Sequence, residues 1–147
     1  MPGDGVIESL AEQVACYRRL AKLAQIQHEH VRQSRTEQLL EVLKARQEVL
    51  EQIANHERIV GPVKRQWPEY LTTLAPDERV RAEALMGETS SLLQQITSAD
   101  RDDALVLQQR KLSLGREINR ATVGRQVNRK YVTAAYGRPR SSVDVQR

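Results

Sequence analysis

Between Asp77 and Tyr136 the chain runs for 60 residues without a proline, and only Gly87, Gly115 and Gly124 interrupt good helix formers. A continuous helix of that length would reach roughly 90 Å at about 1.5 Å per residue. That exceeds the width of a compact domain of this size, so the run has to bend back or project. The preceding gap-free run, Val6 to Val60, contains neither glycine nor proline. Two such runs in 147 residues leave room for little besides helix, and nothing alternates with period two for long.

Composition agrees. The chain has no Phe, one Trp and four Tyr, so helices must pack through aliphatic stripes rather than an aromatic core. In the first run Ile7, Leu10, Val14, Tyr17, Ala21, Ala24 and Val31 recur at the three-to-four spacing of an amphipathic helix. A second stripe runs Leu39, Val42, Val49, Ile53 and Val60, with Leu40, Leu43 and Leu50 beside it. The two stripes are out of phase within the polar stretch His28–Gln38, where Ser34 and Glu37 have capping-box spacing. This predicts a kink or break near Gln33–Thr36, and leaves open whether the chain reverses there.

Gly61-Pro62 predicts the end of that block, because glycine suits the residue after a helix and proline cannot continue one. Residues 61–76 are then expected to be an irregular loop, with Trp67 folded back as its packing anchor. Pro76, Asp77 and Glu78 predict a helix start: proline fits the first helical position and acids suit the positive end of the dipole. In the second block Val80, Leu85, Leu92, Leu93 and Ile96 form the stripe, and Leu105, Leu107, Leu114, Ile118, Ala121, Val132 and Ala135 continue it more weakly. Met1–Gly5 is expected to fray and residues 137–147 to form a flexible basic tail. The predicted architecture is all-α. It is a single domain, an elongated antiparallel bundle of two long, kinked helical blocks (6–60 and 77–136) joined by one irregular loop.

Few function classes survive inspection. Cys16 is the single cysteine, so an internal disulfide is impossible; its apolar neighbours predict structural burial rather than a reactive thiol. His28 and His30 lie two apart, about 200° around a helix, and cannot share an ion; both are expected to be solvated. Asp100, Asp102 and Asp103 lack the glycine and terminal glutamate of a calcium loop and are expected to open a restarted helix. No phosphate-binding loop or nucleophile–base pair is present. The reading is therefore a non-enzyme without metal or cofactor. No apolar h-region or stretch of about 18 apolar residues occurs, and a soluble cytoplasmic protein is expected.

Charge is unevenly spread. Residues 107–147 hold ten Lys/Arg against Glu117 and Asp144, a balance of +8 within a chain whose net charge is +4. An acidic partner or an electrostatic self-contact fits this asymmetry, and exposed stripes on two blocks make a homodimer possible. The candidate binding face is the apolar side of the final helix, Leu107, Leu114, Ile118 and Ala121, followed by Tyr131 and Tyr136. Arg116, Arg120, Arg125 and Arg129 form its electrostatic rim. The alternative is a coiled-coil scaffold, or a nucleic-acid-binding protein using the same arginines on phosphates. The helix lacks a helix-turn-helix pattern, zinc ligands and interleaved aromatics, so nucleic acid is the weaker choice.

The pattern also resembles a family. Leu20-x-x-Leu23 followed by Leu39-Leu40-x-x-Leu43-x-x-Arg46-Gln47-x-x-Leu50-x-x-Ile53 is similar to the N-terminal half of FlgN- and FliT-type flagellar export chaperones. Ile96-Thr-Ser-Ala-Asp100, then Ala134-Ala135-Tyr136-Gly137 and a short tail containing Asp144, resembles their C-terminal ending. The likeness spans about residues 6–144. Such chaperones are commonly acidic, whereas this chain ends basic. The resemblance implies a small cytoplasmic all-helical chaperone. Its clients would be flagellar axial proteins, of the hook–filament junction or the filament cap. It would bind their terminal helical segments, prevent premature assembly and deliver them to export-gate components.

Overall fold

A computed structural model describes the backbone of residues 2–136 and the side chains of residues 5–123. Four helices follow in order: α1 (Pro2–Arg32), α2 (Thr36–Arg65), α3 (Trp67–Thr72) and α4 (Pro76–Tyr136). No strand occurs among the described residues, so the all-α architecture holds. The chain divides into two units, Met1–Ala104 and Leu105–Arg147.

Within the first unit the first predicted block is a hairpin. Gln13 on α1 donates to the Ile53 carbonyl and to Glu57 on α2, while Gln27 accepts from Arg46. Ascending positions on α1 thus meet descending positions on α2, which makes the pair antiparallel. The reversal is built by Ser34, which adopts a left-handed conformation at φ 56°. Its N–H donates to the Val31 carbonyl and the Arg35 N–H to that of His30. These two bonds form a Schellman motif with serine where glycine is usual. The expected capping box is therefore corrected: Arg35 holds the N-cap of α2 and no side chain caps it. Ser34 terminates α1 instead.

The expected irregular loop over 61–76 is also corrected. Pro62 sits inside α2, which continues to Arg65 before Gln66 closes it with a bond to the Val63 carbonyl. A proline forfeits only its own N–H and crowds one carbonyl a turn earlier, and here one further turn forms beyond it. Trp67-Pro68 then opens the short α3, with proline in the first turn. Trp67, Tyr70 and Leu71 pack on Ile7, Leu74 and Ala82, so the tryptophan does anchor the connection. Its ring lies 5.5 Å from that of Tyr70. Pro76 starts α4 as expected, and the Glu78 carboxylate reaches back to accept from the Ala75 N–H at 3.1 Å. At the other end of the chain the helix begins at Pro2, earlier than the expected fraying to Gly5.

Up to Ala104, α4 lies parallel to α1: Arg18 pairs with Glu88, and Gln27 and His28 with Asp103. Its core positions are Ala82, Leu85, Thr89, Leu92, Ile96, Ala99 and Asp103, a strict alternation of three and four that brings a coiled-coil seam to the other helices. Thr89 is buried in this seam, and its hydroxyl donates to the Leu85 carbonyl one turn back. α1 is the central helix. Leu10, Val14 and Val31 have essentially no exposed surface, and Cys16, Tyr17, Leu20, Ala21 and Ala24 meet Val49, Ile53 and Ile96. The first unit is thus a three-helix bundle with its own hydrophobic core. Burial also pushes the Tyr17 hydroxyl above its ordinary pKa.

Candidate interaction surface

Two polar networks interrupt the apolar packing of the bundle, one near the α1–α2 turn and one between its two apolar clusters. Near the turn Arg46 makes a two-pronged pair with Asp100, both contacts at 2.8 Å, while its Nη1 also donates to Gln27 at 2.6 Å. Gln27 in turn donates to Asp103, which His28 contacts at 2.6 Å. Asp103 is only 2% exposed. The expectation that Asp100, Asp102 and Asp103 open a restarted helix is thereby overturned. α4 is unbroken there, and the seam carries Asp103 inward to a partner while Asp102 remains exposed. His28 is likewise not the solvated residue expected, because its ring nitrogen meets that buried carboxylate. Between the Cys16–Ala24 cluster and the Ile7–Trp67 cluster Gln13, fully buried, donates to Glu57, and Lys64 donates to both. Burial is the largest single influence on the Glu57 carboxyl and pushes its pKa up. The hydrogen bonds from Gln13 and Lys64 and the charges of Lys64 and Arg65 together outweigh it and hold the pKa below the ordinary value.

These groups satisfy one another. Among the described residues no three His, Cys, Asp or Glu side chains could hold one metal ion. Cys16 is buried, its sulfur between Arg19 and Gln52. No helix of the described residues is long and apolar enough to cross a membrane.

One exposed apolar surface lies on the second unit. Leu107, Leu114 and Ile118 are 42%, 57% and 59% exposed, and Ala121 is exposed too, so these predicted site residues are no part of the core. At 100° per residue they fall on one side of α4. The same geometry corrects their rim. Arg116 lies about 200° from Leu114, and Arg120 about 200° from Ile118. These two arginines border a second apolar line on the opposite side, Leu105, Leu112 and Val123, all exposed. Lys111 stands beside the first line. Arg125, Arg129, Tyr131 and Tyr136, the remaining predicted site residues, lie outside the described side chains, as does the 137–147 tail. Gly115, between the two lines, leaves open space where a side chain would stand. The helix therefore presents apolar residues in two directions with cations between them.

The sequence reading missed that second line, although a seven-residue step from Leu105 to Leu112 and an eleven-residue step to Val123 mark it. It also noted Leu40, Leu43 and Leu50 only as neighbours of a stripe. They form a separate exposed face on α2, rotated about 120° from the buried Val42, Val49, Ile53 and Val60. Comparison of the chain with protein-family models, with curated proteins and with solved structures found no match.

Proposed function

We propose that this protein is a cytoplasmic export chaperone of the FlgN/FliT type, a binder of helices rather than an enzyme. In this reading it receives the terminal helical segments of flagellar axial proteins, of the hook–filament junction or filament cap. It keeps them from assembling and delivers them to the export gate. The observation that carries the reading is the exposure of Leu107, Leu114 and Ile118 on one side of α4, while the core of the first unit is filled without them. A helix destined to polymerise exposes an apolar stripe, and a second amphipathic helix can cover it. Apolar residues bordered by charges supply what such a contact uses: burial for affinity and charge for orientation. The flagellar identity of the client rests on the sequence resemblance alone.

The test is affinity capture from a motile cell with the tagged full chain, run with and without nuclease. The proposal expects axial subunits in both eluates, confirmed by titration of each purified subunit. Recovery of nucleic acid instead would favour the alternative. Binding would then fall by about 0.9 log unit per released phosphate contact per decade of salt for duplex DNA.

A further inference from the structure

The exposed face of α2 has a charge pattern of its own. Leu40, Leu43 and Leu50 are 61%, 44% and 43% exposed. Along one edge of this line run Glu37, Glu41, Glu48 and Glu51, all exposed, interrupted by Lys44. The Leu105, Leu112 and Val123 line on α4 is its opposite: equally apolar, with Arg116 and Arg120 along one edge. Counted from each apolar line in the direction of helix rotation, the acidic edge of α2 and the basic edge of α4 lie on the same side. Two helices so patterned bring unlike edges together only when they run antiparallel. Parallel packing would put the arginines on the side away from the glutamates.

We propose that the protein self-associates through this pair of surfaces, the α2 face of one copy receiving the 105–123 segment of a second. Each copy carries one surface of each kind, so each can give one segment and receive one. The occupant is specified by complementarity. It must be an amphipathic helix, it must be basic on one edge, and a stretch with both properties lies in the same chain. The line used is Leu105/Leu112/Val123, so the opposite Leu107/Leu114/Ile118/Ala121 line stays open to other partners. This inference does not depend on the flagellar reading.

The test is sedimentation equilibrium of the full chain. Wild type is expected to form a dimer with Kd about 1–100 µM, as contacts of small area give. Raising salt from about 0.1 M to 1 M shrinks the screening length from roughly 10 Å to 3 Å and should weaken the dimer. Glu41→Lys/Glu48→Lys should raise Kd at least tenfold, and Arg116→Glu/Arg120→Glu should do the same. Mixed one to one, the two variants should recover a dimer, because in the mixed pair one contact has both charges reversed and the other has neither. Leu112→Ala, neutral in charge and exposed, provides an independent variant that should also weaken association. Circular dichroism melts on each variant establish that the bundle is intact. A wild type that stays monomeric to about ten times that Kd range overturns the proposal. So does a dimer unaffected by either charge reversal, or a mixture of the two variants that remains monomeric.

Discussion

Replacing Asp103 by alanine should destabilise the bundle, whereas replacing its neighbour Asp102 should not. Asp103 is 2% exposed and accepts from Gln27 at 3.3 Å and meets His28 at 2.6 Å. Its loss leaves the buried Gln27 amide nitrogen without that acceptor. A donor buried without a partner costs about 1–3 kcal/mol. Breaking a fully buried ion pair costs about 3–5 kcal/mol, but the His28 side chain is 34% exposed and can turn to water. We therefore expect about 2–3 kcal/mol for Asp103→Ala. For a unit of 104 residues that corresponds to a fall in Tm of roughly 10–20 °C. Asp102→Ala, at an exposed position, should stay within about 0.5 kcal/mol. Urea denaturation followed by circular dichroism measures both, provided the slope m is unchanged between variants. Equal, small effects at the two positions would refute an inward-facing Asp103. They would restore the view that residues 100–103 are a solvated acidic turn.

Three further substitutions test the first unit. Ser34→Gly should stabilise by about 0.5–1 kcal/mol, since a left-handed conformation at φ 56° strains serine and not glycine; an unchanged or lowered urea midpoint would contradict the Schellman turn. Gly87→Ala should add a similar amount, because a side chain there meets nothing within 4 Å and alanine favours helix; a melt shifted downward would argue against α4 at that point. Glu57, held below its ordinary pKa, binds a proton less readily folded than unfolded. Its contribution is fully present above about pH 4.5 and is lost as pH falls through the lower folded value. Glu57→Gln should therefore flatten the stability–pH curve between about pH 5 and 3, and an unchanged slope there would exclude the contacts of Glu57 with Gln13 and Lys64.

The apolar periodicity made most of this fold legible. The stripes at Ile7–Val31 and Val42–Val60 are buried as their spacing implies, and Pro76 begins α4. Local residue signals were less reliable where tertiary packing overrode them. Gly61-Pro62 reads as a helix end, yet α2 runs one turn further. Ser34 and Glu37 read as a capping box, yet the serine is drawn into a left-handed turn by the return of α2 along α1. The Asp103 pairing joins residues 75 positions apart, so no local pattern could show that His28 supplies its partner. At the candidate surface, the Leu107–Ala121 stripe was legible because spacing alone fixes a helix face. The same spacing sets Arg116 and Arg120 on the opposite side, about 200° from the apolar residues two positions before them, so neighbours in sequence are not neighbours on the helix.

Calorimetric titration of a helical client onto wild type and Leu114→Ala/Ile118→Ala tests most directly what the 107–121 face is for. The client would be a purified hook–filament junction or filament cap subunit from the same cell. Since Leu114 and Ile118 are more than half exposed, the double variant should melt within a few degrees of wild type. Its affinity for the client should fall tenfold for every ~1.4 kcal/mol of lost contact. Collapse of the bundle in the variant, or a stable variant that binds its client unchanged, would contradict the account.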